Sequence, residues 1–377
     1  MNTSITQKSM PRQSRFSRLS IYVVFLSLSG VSAACTKNPD LLPHSVYFLS
    51  GPRGHYQVWR MEPDGTTTSE LTDEQFGVDS YSVSRADGSL AYVTDDQLFL
   101  VDPDGGSRRL VANKKMVDPD AFPGFFTSPS FSPDGKTLAY GSDGLHLYDV
   151  ASGADERVLT DGGNLLGEPF IFVKEDYAPG PWSPDGDKLL IIMGYFEGST
   201  LAVMKPGEDQ PFRRLRSHDP VCCTFHWTAD GSSLFVANPW YGNEWPGLWR
   251  YDAETGDEYH LVATHPGQSR FVGWPVQLPS GDLLYFYGET LTFEEGIPLV
   301  MVQSNPDGGD RTRIRPEEFH ISDALWADDG SLVLMDTPIG DRTLEGSTAQ
   351  IVLARPDGSE LQVLLEVEPI IQMQWGP

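Results

Sequence analysis

The sequence predicts an all-β protein, a seven-bladed β-propeller whose ring is closed by its own C-terminal strand. One turn, typified by Pro133-Asp134-Gly135, recurs six times, with its glycines 45 to 51 residues apart and an apolar strand after each copy. A second turn, typified by Pro103-Asp104-Gly105, recurs seven times and alternates with the first. No run with helical periodicity lies between these strands. Four short strands in every stretch of about fifty residues are typical of a propeller blade.

The residues of both turns have a local physical role. Proline presets φ for a turn, aspartate bonds to nearby backbone groups, and glycine accepts a positive φ. We therefore assign Asp134 and its counterparts to turn formation and give them no catalytic role. The six copies of the first turn end at Gly88, Gly135, Gly186, Gly231, Gly281 and Gly330.

The chain end supplies the strand that completes the ring. The second turn occurs seven times and the first only six, and no strand precedes the apolar residues 46–49 of the first blade. Residues 370–377 form an extended apolar segment in which Trp375 takes the place held by Trp326 in an earlier repeat. We therefore predict that this segment is the innermost strand of blade 1. Closure of this kind removes two open sheet edges.

The N-terminus is typical of an export signal. Residues 1–34 contain four basic and no acidic side chains, and Ile21–Val31 is an apolar run too short to span a bilayer. The residues that follow, Ser32-Ala33-Ala34-Cys35, resemble the lipobox of bacterial lipoproteins, which implies that Cys35 is lipidated. The alternative is ordinary signal cleavage after Ala34, with no lipid attached.

These features predict three segments and the cellular location of the protein. Residues 1–34 are expected to be a lipoprotein signal peptide, 35–43 a short tether and 44–377 the propeller. The mature protein is then exported and lipid-anchored through Cys35, in the periplasm or at the cell surface. We expect contact with the membrane only through this anchor.

Charge and cysteine content exclude several classes of function. The formal net charge is -26, so the surface repels nucleic acid phosphates and anionic lipid head groups. Three cysteines do not make a disulfide framework. Cys222 and Cys223 are adjacent, and neighbours in a strand point to opposite faces, so we interpret them as two buried thiols.

The repeats resemble those of the TolB family of β-propellers, which also occur in tricorn and prolyl-oligopeptidase-type proteases. The matching pattern is aromatic-Ser-Pro-Asp-Gly-x-x-apolar at 131–138 and 182–189. The resemblance covers about residues 44–377 and implies the fold, and for TolB itself a role in the cell envelope. Unlike TolB, this chain has seven predicted blades and no room for a separate N-terminal domain. It also has no room for the α/β-hydrolase domain of the proteases, and no Gly-x-Ser-x-Gly motif.

One rim of the ring is the candidate binding surface. Connections between blades and loops joining the second and third strands of a blade lie on the same rim, and several of them carry aromatic residues. The alternative is that these aromatics only pack the long loops onto the ring. The candidate residues are Phe125, Tyr195, Phe196, Trp240, Tyr241, Trp245 and Phe293.

The sequence favours a monomeric binding or scaffolding module of the cell envelope, with a protein, peptide or glycan as its partner. We assign no catalytic residue, cofactor or metal ligand, although a divalent cation such as calcium stays open as a binding aid. The alternative function is a hydrolase or lyase whose site lies in the central funnel. A propeller can gather acids and histidines there from distant repeats, which short motifs do not reveal.

Overall fold

The computed structural model describes residues 40–103, 105–113, 128–162, 175–195, 198–208, 212–215, 223–238, 247–263, 269–290, 297–340 and 347–377. Within these ranges the chain forms seven four-stranded antiparallel sheets in a ring and contains no helix, so none could span a membrane. The predicted all-β, seven-bladed propeller is confirmed.

Each blade contributes one strand to each of four concentric layers. The innermost strands, from blade 1 to blade 7, are β28 (Ile370–Trp375), β4 (Ser80–Val83), β8 (Ser130–Phe131), β12 (Asp176–Trp182), β16 (Thr224–Trp227), β20 (Ser269–Gln277) and β24 (Asp323–Trp326). The second strands, in the same blade order, are β1 (Val46–Ser50), β5 (Leu90–Thr94), β9 (Thr137–Gly141), β13 (Leu189–Tyr195), β17 (Ser233–Asn238), β21 (Leu283–Thr290) and β25 (Val333–Ile339).

The two outer layers follow the same order. The third strands are β2 (Gln57–Met61), β6 (Gln97–Val101), β10 (Gly144–Asp149), β14 (Gly198–Met204), β18 (Gly247–Asp252), β22 (Val300–Ser304) and β26 (Thr348–Ala354). The outermost strands are β3 (Thr68–Glu70), β7 (Arg108–Asn113), β11 (Asp155–Thr160), β15 (Phe212–Arg214), β19 (Glu258–Val262), β23 (Thr312–Arg313) and β27 (Leu361–Val367).

The C-terminal strand closes the ring as predicted. β28 pairs antiparallel with β1, with Trp375 opposite Val46 and Ile370 opposite Ser50. The chain end is held further by a bond from the Gly376 N–H to the Ser45 carbonyl (2.8 Å). The first and last parts of the propeller therefore share one sheet, and β1 is paired on both of its edges.

Tryptophan side chains join neighbouring blades near the end of their innermost strands. Each of four indole N–H groups donates a hydrogen bond to a backbone carbonyl on the innermost strand of the preceding blade, which explains why tryptophan recurs at this place in the repeat. The bonds run from Trp375 to Trp326 (2.6 Å), Trp326 to Trp274 (2.7 Å), Trp227 to Pro181 (3.0 Å) and Trp182 to Ser130 (3.2 Å).

The aspartates of the first turn act locally, as predicted. Asp134 accepts hydrogen bonds from the Ser132 hydroxyl (2.7 Å) and the Lys136 N–H (3.1 Å). These bonds lower the pKa of Asp134 to about 2. Asp230 accepts the equivalent bonds from Thr228 and Ser232, and its pKa is also lowered to about 2. The carboxylates therefore stabilise the turns.

The hydrophobic core lies between the blades. Side chains of blade 7 such as Leu334 and Ile351 pack against Phe48 and Met373 of blade 1, and every one of these is buried. Similar clusters fill the other junctions between blades in the described part of the chain. Cys223 is half-buried against the cluster between blades 4 and 5, and Cys222 lies outside the described residues.

We predict that Trp375→Phe weakens ring closure. The substitution removes the N–H that satisfies the buried Trp326 carbonyl, so the free energy of unfolding should fall by about 1–3 kcal/mol. Urea denaturation measures the change. Trp249→Phe is the matched control for lost ring volume, because that buried indole packs on His260 within one blade. An equal loss of stability in both variants would contradict a special role for the Trp375 bond.

Candidate functional site

Most of the sequence-predicted site residues lie outside the described part of the chain. This holds for Cys35 and for six of the aromatics: Phe125, Phe196, Trp240, Tyr241, Trp245 and Phe293. Tyr195 is the last residue of β13, and its side chain does not belong to the described part of the structure. These residues therefore remain predictions, and the candidate site has to be built from other residues.

The strand order defines two faces of the ring. Both recurring turns, represented by Gly135 and Gly153 in blade 3, lie on one face, which we call the turn face. The connections between blades and the loops joining second and third strands lie on the opposite face, which we call the rim face. Tyr195, at the end of a second strand, belongs to the rim face.

Among the described residues, three large apolar side chains on the rim face are at least 40% exposed. Phe76 lies in the connection from blade 1 to blade 2 and is 57% exposed, Ile339 ends β25 and is 41% exposed, and Ile371 begins β28 and is 40% exposed. They come from blades 7 and 1 and from the start of blade 2, which are neighbours in the ring. We call these three residues the apolar rim patch. Sequence reasoning missed it because single aliphatic residues stand out less than aromatic loops.

Acidic groups surround this part of the rim. Asp95 and Asp96 form the turn between β5 and β6 in left-handed conformations, with φ of 47° and 55°. Burial raises the pKa of Asp79, and the charge of Asp96 raises it further. Glu74 accepts a hydrogen bond from the Tyr92 hydroxyl (2.6 Å) and pairs with Arg108. An apolar patch beside carboxylates suits a partner with apolar and basic groups.

The polar side chains of the central channel hold the ring together. Four side-chain oxygens each accept a hydrogen bond from a backbone N–H on the innermost strand of the next blade, a group that the sheet itself leaves unpaired. The bonds run from Val83 to Gln374 (3.1 Å), Phe131 to Ser82 (3.2 Å), Trp274 to Thr224 (2.9 Å) and Met373 to Asp323 (2.8 Å).

Asp323 is the centre of this arrangement. One of its oxygens accepts the Trp274 indole N–H (3.0 Å) from blade 6, and the other accepts the Met373 N–H from blade 1. Trp274 and Gln372 have φ of 49° and 55°, and each lies where its innermost strand changes register. Left-handed non-glycine residues of this kind cost about 1–3 kcal/mol each and need surrounding support. Asp323 supplies part of that support, so its carboxylate is engaged structurally.

His226 is a titratable side chain on the innermost strand of blade 5. Burial lowers its pKa to about 4, and the negative charge of Asp328 opposes this shift only in part. The imidazole is therefore neutral at pH 7. Among the described residues, no group of three or more His, Cys, Asp or Glu is arranged to hold a metal ion, so His226 belongs to no such group.

A cavity of about 420 Å³ lies on the turn face. It is lined by the segment 40–44, by Arg85 and Asp328, and by Trp375. Arg85 of blade 2 and Asp328 of blade 7 form a bidentate pair (3.1 and 2.8 Å) that spans the closing strand of blade 1. These two charged groups of the cavity lining therefore already bind each other.

No protein-family model matches the chain. Among curated proteins, an uncharacterized Agrobacterium fabrum protein, Atu1656, is 28% identical over 116 residues, which are 27% of this chain and 38% of that protein. An uncharacterized Bacillus subtilis peptidase, YuxL, is 31% identical over 100 residues, 25% of this chain and 13% of that protein. The chain thus spans well under two thirds of the length of either relative.

Solved structures with the same architecture have diverse activities. TolB from Acinetobacter baumannii is 17% identical with a TM-score of 0.45, covering 88% of this chain and 82% of that one. An oligogalacturonate lyase in complex with manganese is 14% identical (TM-score 0.51, 84% and 83% covered). The dihydro-heme d1 dehydrogenase NirN is 11% identical (TM-score 0.53, 88% and 75% covered). At such identities the likeness to the lyase and the dehydrogenase establishes the fold alone. The seven-bladed ring agrees with the propeller implied by the TolB-like repeats.

We predict that His226 makes stability depend on pH. Its pKa is lower in the folded chain than the unperturbed 6.5. Between these two values, the imidazole is protonated in the unfolded chain and neutral in the folded chain. The free energy of unfolding should therefore rise between pH 4 and pH 6.5 by on the order of 2 kcal/mol and level off above that range. Urea denaturation at several pH values measures this rise.

The variant His226→Gln should lose this part of the pH dependence. His55→Gln, at an exposed histidine on the rim face, is the matched control and should keep the wild-type profile. Identical profiles for His226→Gln and the wild type would show that burial of this imidazole does not govern the acid side of the curve.

Proposed function

We propose that the protein is an exported, membrane-tethered binding module of the bacterial cell envelope that holds a partner protein on its rim face. The observation that carries this proposal is the apolar rim patch, with Phe76, Ile339 and Ile371 all at least 40% exposed on one face. Exposed apolar residues gathered on one face are typical of protein interaction sites. The acids beside the patch favour a partner with basic groups.

The way the chain enters the propeller supports a fixed orientation. The N–H groups of Leu41 and Leu42 both donate to the carbonyl of Pro63 (2.8 and 2.9 Å), which belongs to a turn on the turn face. Leu42 is buried in the core. Five peptide steps separate Cys35 from Asp40, which is at most about 18 Å of extended chain. A lipid on Cys35 would therefore keep the turn face towards the membrane and leave the rim face available.

The channel supports binding over catalysis. Asp323, Gln374 and Thr224 are polar side chains of the channel, and all three accept hydrogen bonds from neighbouring innermost strands. Using Asp323 as a catalytic acid or base would disturb the junctions of blade 7 with both neighbours. The hydrolase or lyase alternative therefore has less support, and we propose no catalytic residue, cofactor or metal for the module.

We predict that Phe76→Ser lowers partner capture without lowering stability. The side chain is more than half exposed, so its removal costs the fold little and removes apolar contact area from the rim. Capture is measured by chemical crosslinking and affinity purification from native envelopes, followed by quantitative mass spectrometry. Tyr259→Ser is the control, because Tyr259 is 45% exposed on an outermost strand away from the rim. Equal capture by Phe76→Ser and wild type would refute the rim proposal.

We predict that Cys35→Ser releases the protein from the membrane. Without the thiol no lipid can be attached, and a soluble form should appear after cell fractionation. Mass spectrometry of the mature wild-type N-terminus is the direct measurement, with a lipidated Cys35 as the expected first residue. An unmodified Cys35, or cleavage at another position, would rule out the tether while leaving the rim proposal open.

A further inference from the structure

The outermost strand of blade 7 differs from those of the other blades. β27 runs over seven residues, whereas β3 and β15 have three and β23 has two. β27 is the end of its sheet, and in the described part of the chain no strand pairs with its outer edge. Leu361 and Val363 on this strand are 42% and 52% exposed. A long apolar edge strand is a template for pairing with another strand.

Leu361 and Val363 are exposed although their cross-strand partners belong to the core. Leu361 lies opposite Ala354 and Val363 opposite Val352, and both partners belong to the apolar cluster between blades 6 and 7. The outermost strand of blade 6, β23, is only two residues long. Leu361 and Val363 therefore continue an apolar core outwards to the surface.

The first five residues of β27 lack the charges and prolines that usually protect an edge strand. Charged residues, short strands and prolines normally discourage pairing at sheet edges. Two other outermost strands, β7 and β11, are long as well, with six residues each. Both carry such charges: Arg108 and Arg109 in β7, and three charged side chains in β11. Residues 361–365 of β27 contain no charged side chain and no proline.

Charge indicates which kind of strand fits this edge. The segment 356–368 contains four acids, Asp357, Glu360, Glu366 and Glu368, and no lysine or arginine. Glu360 pairs with Arg355 (2.9 Å), and the buried Arg315 donates to the Glu360 carbonyl (3.0 Å), so the N-terminal end of β27 already has basic neighbours. Glu366, near the other end of the strand, accepts an amide hydrogen bond from Gln350 (3.1 Å). A second copy of this chain, with a net charge of -26, would meet like charge. A partner strand with basic residues would instead be attracted to these acids.

We propose that β27 is a second interaction surface, which binds an extended segment of a partner protein by strand addition. The bound segment has apolar side chains over Leu361 and Val363 and lysine or arginine towards the acids that flank them. Backbone hydrogen bonds to the outer edge of β27 provide affinity, and the side-chain pairs provide selectivity. This surface is separate from the apolar rim patch and does not depend on it.

The test uses the full mature chain and a fluorescein-labelled peptide of about nine residues with alternating valine and lysine. Fluorescence anisotropy gives its dissociation constant. Val363→Lys should weaken binding by about tenfold or more, because it removes apolar contact and places like charge opposite the peptide. Leu110→Lys is the matched control, since Leu110 is 49% exposed on the outermost strand of blade 2. Thermal melting verifies that both variants fold.

Two further probes separate strand addition from other modes of binding. A peptide with alternate backbone amides methylated should not bind, and a valine–glutamate peptide should bind much more weakly. Hydrogen exchange should slow at 361–367 when the lysine peptide binds. The proposal is overturned by absence of lysine-peptide binding, by equal binding to Val363→Lys, or by undiminished binding of the methylated or glutamate peptide. Self-association of the wild type that Val363→Lys abolishes would identify a second copy as the occupant and would also overturn it.

Discussion

The open edges of the seven innermost strands are the constraint on which the structure depends. A ring of sheets leaves one row of backbone N–H and C=O groups facing the channel in every blade, and these groups need partners. The indoles of Trp182, Trp227, Trp326 and Trp375 bind carbonyls of the preceding blade. Side-chain oxygens such as that of Gln374 bind N–H groups of the next. Each blade is thus bonded to its neighbours at the axis as well as packed against them.

This constraint also determines where function can be placed. Asp323 binds both blade 6 and blade 1, so the polar groups of the channel are used for assembly. Surfaces away from the axis do not take part in these hydrogen bonds between innermost strands, so their composition can vary without opening the ring. The exposed residues of β27 lie there, and Phe76 of the apolar rim patch lies in a connection between blades. A propeller whose axis is structural can therefore acquire binding surfaces on its rim and its periphery independently.

Several features of the fold followed from the sequence because they are local or periodic. The turn residues around Asp134 specify their own geometry through bonds within five residues, so their spacing revealed the blades. The recurrence of tryptophan at one place in the repeat placed Trp375 in the ring. The channel hydrogen bonds escaped prediction, because Asp323 and Met373 meet across fifty residues of sequence with no motif to mark them. Ile339 and Ile371 escaped for the same reason, since exposure depends on neighbours.

The sequence by itself determined the architecture: an all-β chain, seven blades, and closure by its last strand. Turn chemistry and strand periodicity act over a few residues, so a single chain contains that information in full. Only the tertiary structure decided which polar groups are used for assembly and which apolar side chains remain uncovered. Val363 is 52% exposed although its cross-strand partner Val352 belongs to the core between blades 6 and 7. The exposure of such a side chain depends on how neighbouring blades pack against each other, which only the tertiary structure shows.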